Sequence, residues 1–187
     1  KSLWVAINKD LISDKKSYDS DAETVYDNDL IVGDGHDPSI LWASFTNDKI
    51  GDVTVITSHY PRFGRPLGAG PGLSVNLPYT RGLAHAIGTK AEETAAGKAV
   101  AFYQGDQNVP DNKYDTFFGE DLTSTWDELG KYEGTGHGVI DVIASYDFDG
   151  RVKAVSTTVR DDKELHLFTD HYLLEAVFDV TPLPKKK

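Results

Sequence analysis

Residues 139–143, Val139-Ile140-Asp141-Val142-Ile143, form an apolar run with one carboxylate at its centre. The run has strand length, and its β-branched residues favour a pleated, half-buried surface over a helix. It therefore reads as a strand continuing to Ala144. Strand alternation can turn Asp141 to solvent. If it is buried, it needs a partner, because an unpaired buried charge costs several kcal/mol. A histidine is one such partner.

Working outward, similar apolar segments recur at Ile40 to Phe45, Val53 to Thr57, Ala99 to Tyr103, Val152 to Ser156 and Leu174 to Val180, and each reads as a strand. Residues 3–7 read as another short strand. Asn47-Asp48 and Gly51-Asp52 between Ile40–Phe45 and Val53–Thr57 predict a hairpin. One helix is predicted over residues 79–97, with Thr80 as its N-cap and Leu83, Ile87, Ala91 and Ala95 on one face. Residues 10–37, rich in Asp, Ser and Gly, read as an acidic exposed excursion, and residues 64–72 as a glycine-rich loop. Strands, one helix, then more strands predict an α+β fold built on a largely antiparallel or mixed sheet.

The chain has 187 residues, a length that suits one domain spanning 1–187 with a short tail over 181–187. With no cysteine, a disulfide framework, a thiolate zinc site, an iron–sulfur cluster and a thiol nucleophile are all excluded. No apolar run reaches the roughly 18 residues a membrane span requires, and the first residues show no signal peptide. The compartment is left open. The net charge of −11 is uneven: residues 1–37 hold nine acids and four bases, residues 38–105 four acids and six bases, and residues 106–187 seventeen acids and nine bases. A uniformly basic nucleic-acid-coating surface is thereby excluded. An acidic protein can still act on phosphate esters if a metal ion supplies the positive charge. Arg62, Arg65 and Arg81 in the mildly basic middle are the candidates for touching a phosphate, with solvated surface arginines as the alternative.

Four clusters carry possible chemistry: Thr57-Ser58-His59 after one strand, Gly105-Asp106-Gln107-Asn108 after another, Ile140-Asp141-Val142-Ile143 within a third, and Thr169-Asp170-His171 before the last. Taken singly, a Gly-Asp-x-Asn is often a turn, and a lone histidine at a strand end is more often a surface residue than a catalyst. Taken together, their order, spacing and strand context resemble the late motifs of the endonuclease/exonuclease/phosphatase superfamily, the DNase I-like fold. Thr125-Trp126 resembles that family's Thr-Trp element and Leu174–Val180 its terminal strand, so the resemblance covers roughly residues 39–180.

The resemblance implies a four-layer fold, a mixed and antiparallel β-sandwich flanked by helices. The implied activity is a divalent-metal-dependent phosphoesterase, with a nuclease cleaving phosphodiester bonds by in-line water attack ahead of a small-molecule phosphatase. His171 would be the general base or act on the scissile phosphate, and Asp141 would orient its ring. Asp106 would align or deprotonate the water, Asn108 would donate to a phosphate oxygen, and His59 would stabilise the phosphate or protonate the leaving group. Asp170 would help bind Mg²⁺ or Mn²⁺, with Ca²⁺ a further alternative, since hard cations take oxygen ligands. Arg62, Arg81 and Asn108 would contact the substrate, a nucleic acid or other phosphate ester.

The chain departs from the family at its start. Two further strands, one bearing an Asn and the next a metal-binding Glu, normally precede the matched part. Asn8 lacks the motif's surroundings, and Glu23, the sole Glu before residue 92, lies in a polar stretch that does not read as a strand. The match amounts to about three-quarters of such a domain. The expectation is that a cleaved N-terminal segment or a second chain completes the fold, or that the protein is a non-catalytic binding or structural subunit that has lost its Glu. Other candidates weigh less. Asp147-Phe148-Asp149-Gly150 reads as a hairpin turn, since no Glu follows at calcium-loop spacing. Gly33–Asp37 reads as a polar turn, and Ser58 beside His59 lacks a Gly-x-Ser-x-Gly elbow.

Overall fold

The structure is a computed structural model that describes residues 5–25, 39–60, 77–95, 100–108, 122–136, 138–146, 150–164 and 169–184; the side chains of 77–81 and 94–95 lie outside the description. A six-stranded sheet runs in the order β1 (Asp14–Thr24), β2 (Ser39–Asn47), β3 (Gly51–His59), β4 (Val100–Asp106), β6 (Asp141–Tyr146), β5 (Leu122–Ser124). A second sheet pairs β7 (Val152–Arg160) with β8 (Leu173–Val180). All pairings are antiparallel except β3 with β4. That parallel pair needs a crossover, and α1 (Leu77–Ala95) lies within it. The α+β architecture and the mixed sheet are as expected from the sequence.

The two faces of the large sheet are buried differently. Ile56, Tyr103 and Ala144 on one face join Leu83, Ile87 and Ala91 of α1 in one core. On the other, Phe45, Val53, Val100 and Phe102 pack with Val152, Phe178 and Val180 of the second sheet, with the Phe102 and Phe178 rings 4.9 Å apart. Helix-facing and sheet-facing residues alternate along β3 and β4, as a two-residue period requires. The β2–β3 hairpin turns on Asn47, whose side-chain oxygen accepts from the Lys49 N–H at 3.0 Å, and on Gly51 at φ 89°. Beyond β8, the Thr181 and Leu183 N–H groups donate to the Arg151 and Lys49 carbonyls.

Several local expectations are corrected. Residues 5–7 form no strand; they lead into a 3₁₀ turn at Lys9–Leu11, capped by Asn8. Part of the acidic excursion is a regular element, β1, paired to β2 with Glu23 opposite Ile40. Helix α1 begins at Leu77, so Thr80 lies inside it rather than at its cap. Strands β6 and β7 belong to different sheets and so do not pair as the two arms of the expected hairpin; residues 147–149 lie outside the described residues. A short helix, α2 (Thr125–Leu129), was not anticipated; Ser124 caps it, and its Trp126 is fully buried. Arg62, Arg65, the 64–72 loop and the Gly33–Asp37 turn lie outside the described residues, as does the side chain of Arg81.

Candidate active site

The sheet register sets His59, Asp106 and Asp141 in one row. His59 at the end of β3 pairs with Asp106 at the end of β4, and Asp106 pairs with Asp141 at the start of β6. Directly paired residues share a face, so the three side chains rise together on the side covered by the second sheet. His171, two residues before β8, joins the row from that second sheet. Of the predicted site residues, the fold therefore gathers His59, Asp106, Asn108, Asp141 and His171, with Asp170 at the rim.

The row is held by hydrogen bonds and close contacts between charged groups. His171 Nδ1 lies 2.7 Å from Asp141 Oδ2, and its Nε2 lies 3.7 Å from Asp106 Oδ2. His59 Nε2 approaches the same Asp106 oxygen at 3.4 Å. The other Asp106 oxygen accepts from the Asn108 N–H at 2.8 Å. That is an Asx-type turn, so the turn chemistry and the site role of Gly105–Asn108 coexist. Asn108 adopts φ 49°, a left-handed conformation that Asn tolerates. Its amide nitrogen donates to the Tyr60 carbonyl at 2.9 Å and lies 3.3 Å from His59 Nε2. Gly105 is demanded by proximity: a Cβ there would overlap the Ser58 carbonyl oxygen and the Tyr103 hydroxyl.

These contacts fix the charges. The hydrogen bond to Asp141 raises the His171 pKa above 6.5 against the opposing effect of burial, with the charges of Asp141, Asp106 and Asp170 adding to the rise. Burial pushes the Asp106 carboxyl up. Hydrogen bonds from His59 and the Asn108 N–H, with the charges of His59 and His171, outweigh it and leave the group below its ordinary value. The resting site thus pairs an ionised Asp106 with a His171 that tends to keep its proton.

Three features here escaped the sequence reading. Thr135 is fully buried, and its hydroxyl donates to Asp141 Oδ2, the oxygen that His171 also engages. The Thr135 carbonyl accepts from the Tyr172 N–H at 2.9 Å, so one residue grips both Asp141 and the backbone beside His171. Gly136, at φ 103°, has the Asp170 carbonyl oxygen 3.0 Å from the position of a Cβ. Trp126 Nε1 donates to the Asp141 carbonyl at 3.0 Å. The run Gly134-Thr135-Gly136 carried no periodicity that would have marked it.

A cation finds partial provision. One ligand atom each from Asp106, Asp141 and His171 lie within 4.8 Å of one another. Asp141 and His171 are spent on each other, however, and a cation between them would displace their proton. Asp106 is the carboxylate of that group left to meet a hard cation; the exposed Asp170, whose Oδ1 lies 3.9 Å from His171 Nε2, stands outside it. Mg²⁺ commonly takes one or two protein carboxylates and keeps water for the rest. Glu23 does not contribute. Its register partners Ile40 and Ser58 place it on the helix-covered face, opposite His59 and Asp106.

No sequence-family description matches the chain, and no curated protein matches it in sequence. Solved structures do match. An endonuclease/exonuclease/phosphatase from Bacteroides vulgatus aligns with TM-score 0.64 at 20% identity, covering 89% of this chain and 67% of that one. The chain has the endonuclease/exonuclease/phosphatase fold. Two further structures share it. The human Nocturnin catalytic domain aligns with TM-score 0.60 at 15% identity over 89% of this chain and 62% of its own. D. rerio TDP2 complexed with a single-strand DNA product aligns with TM-score 0.56 at 13% identity over 89% and 70%. The chain therefore spans about two-thirds of the length of these three structures.

Proposed function

We propose that the chain is a phosphoesterase, and within that class a nuclease that hydrolyses phosphodiester bonds by in-line attack of water. The observation that carries this reading is the row His59–Asp106–Asp141 closed by His171, which offers both a base and proton donors to one phosphate. In-line displacement requires an aligned water, neutralisation of developing charge and help for the leaving oxygen. Asp106, held ionised, orients the water and accepts its hydrogen bond. Its lowered pKa makes it a weak base, and it takes the water's proton as the new P–O bond forms and the bond to the leaving oxygen breaks. His171, oriented through Nδ1 by Asp141 and inclined to keep its proton, presents Nε2–H to a phosphate oxygen. Of the two roles expected for it, action on the phosphate fits better than base catalysis. His59 sits across Asp106 to donate to the leaving oxygen, and Asn108 offers its amide to the phosphate beside it.

Asp106 and Asp170 would hold a divalent cation, Mg²⁺ or Mn²⁺ or Ca²⁺, which when bound supplies positive charge against the phosphate in an otherwise acidic protein. Arg62 and Arg81 are assigned to phosphate contact on their place in the basic middle segment. The DNA product carried by the structurally similar D. rerio TDP2 supports a nucleic-acid substrate.

The test is cleavage of supercoiled plasmid and end-labelled oligonucleotide with Mg²⁺ or Mn²⁺. Activity lost in His171→Ala and Asp106→Asn supports the reading; equal trace activity in wild type and variants refutes it. A second reading, a binding module that keeps the fold without turnover, is favoured by the position of Glu23 on the wrong face of the sheet. It calls for oligonucleotide binding without cleavage, and for a stable complex with a second chain visible as excess mass in light scattering.

A further inference from the structure

A cavity runs inward from the His59–Asp106–Asp141 row, between the two sheets. Thr57, Gln104 and Ile143 pair with one another in the register, each two residues from its counterpart in the row, so they lie on the same face one step deeper. Tyr172, Leu173 and Leu174, at the start of β8, form the facing wall. With Asp106, Asp141 and His171 at the mouth, these residues line a cavity of about 300 Å³. Farther in the sheets meet, where the Phe102 and Phe178 rings stand 4.9 Å apart. Gln104, two residues on from Phe102, marks where they part. It is the exposed residue of β4, although that strand is hydrogen-bonded on both sides, to β3 and β6. Leu173 on the wall is 38% exposed.

The lining selects what can enter. Beyond the row it carries no charged side chain, so a neutral group goes in while the phosphate stays with the imidazoles. An alkyl chain would bury the Gln104 amide and leave it unpaired, at a cost. A planar ring with polar edges meets both demands: its faces lie against Ile143, Leu173 and Leu174, and its edge meets an amide that both donates and accepts. The volume lies at the lower end of the roughly 300–1,000 Å³ typical of ligand sites, which suits one ring system. Packed sheets stand about 10 Å apart, so a gap between them admits a flat ring but not a base still paired in a duplex.

We propose that this cavity receives one unpaired nucleobase, that of the nucleotide bearing the scissile phosphate, with Gln104 reading its edge. The inference rests on the phosphoesterase reading for the phosphate end of the substrate. The base can come from a single strand or from a small nucleotide, and a duplex is refused.

The experiment titrates the full chain with thymidine 5′-monophosphate and, separately, with inorganic phosphate, followed by NMR. The mononucleotide should shift the Gln104 side-chain amide and the Leu173 and Leu174 methyls, which inorganic phosphate leaves in place; identical shifts from both overturn the proposal. Alongside, kcat/KM is measured on a single strand whose one cleavable phosphodiester is flanked by bases or by abasic sugars, and on the blunt duplex. Bases should raise kcat/KM about tenfold over abasic sugars, and the duplex should be cleaved about tenfold more slowly than the strand. Equal rates in either comparison overturn the proposal. Gln104→Leu removes the amide and Leu173→Trp fills the mouth; both positions are exposed, and melts check that each variant is folded. In each, the base-to-abasic ratio should fall below about twofold, and a ratio kept in both overturns the assignment. Preference for the strand over a dinucleoside phosphate assigns the base to nucleic acid, and the reverse to a small nucleotide. A chain that hydrolyses nothing removes the phosphoesterase reading, while the titration still decides the base site.

Discussion

Asp141→Asn isolates the charge that holds His171, because an asparagine oxygen at the Oδ2 position can still accept from both His171 and Thr135. What disappears is the charge assistance. A hydrogen bond to a charged group contributes about 1.5–3 kcal/mol and a neutral one about 0.5–1.5 kcal/mol, so the loss is about 1 kcal/mol. His171 and Asp141 side chains are 19% and 18% exposed, so solvent screening does not erase the difference. The His171 pKa is raised on folding, so its contribution to stability is complete below the unfolded imidazole value of about 6.5. It is lost as the pH rises through the higher folded value. The variant should therefore melt about 2–4 °C below wild type near pH 6, given that 1 kcal/mol moves the midpoint of a chain of this size by that amount. Near pH 9 the two melts should approach each other. NMR titration of the His171 ring should show it losing its proton at lower pH in the variant, and turnover should fall by about 10²–10⁴ if the imidazolium serves the phosphate. An equal melting difference at both pH values, or an unmoved His171 titration, refutes the Asp141–His171 linkage.

Other perturbations test neighbouring parts of the same construction. Thr135→Val keeps the shape but removes the hydroxyl donor to Asp141, and should cost about 1 kcal/mol in melts and about tenfold in initial rate; Thr135→Ser should restore most of both. Gly105→Ala forces a Cβ against the Ser58 carbonyl, which cannot yield as a side chain could, and should destabilise by about 3 kcal/mol in a denaturant titration. Asp170→Asn, at an exposed side chain, should leave stability within about 0.5 kcal/mol yet weaken Mg²⁺ binding in calorimetry; unchanged binding would remove Asp170 from the ligand set.

Much of this arrangement was legible because the strands that carry the gathered site residues also carry core. Ile40–Phe45, Val53–Thr57 and Val139–Ala144 are rich in β-branched and apolar residues because their faces are buried, and the polar residues at their ends then stand out. That Asp141 needs a partner followed from the same logic, while the choice of His171 came from the family resemblance. Thr135 was illegible for the converse reason. It sits among glycines, its fit depends on φ values and backbone contacts, and its buried hydroxyl has no periodic signature. Strand β1 hid differently. Nearly all its residues are exposed, so neither alternation nor hydrophobicity marks it, and only pairing to β2 makes it a strand. Its charged residues suit a strand that ends the sheet order.

The fate of Glu23 shows how register can uphold a conclusion whose premise fails. The polar stretch around it suggested no strand, and on that ground it was set aside as a metal ligand. It does lie in a strand, yet its pairing with Ile40, and of Ile40 with Ser58, turns it to the helix-covered side. A one-residue slip would have reversed that, because the side-chain period is two. Asp106, Asp141 and Asp170 thus supply the carboxylates gathered around His171. Asp141 is consumed in orienting that ring. A cation bound at Asp106 would compete with His59 and His171 for the same carboxylate oxygen. Cation binding and the charge of the His171 imidazole are therefore opposed, and lowering the pH should weaken cation binding.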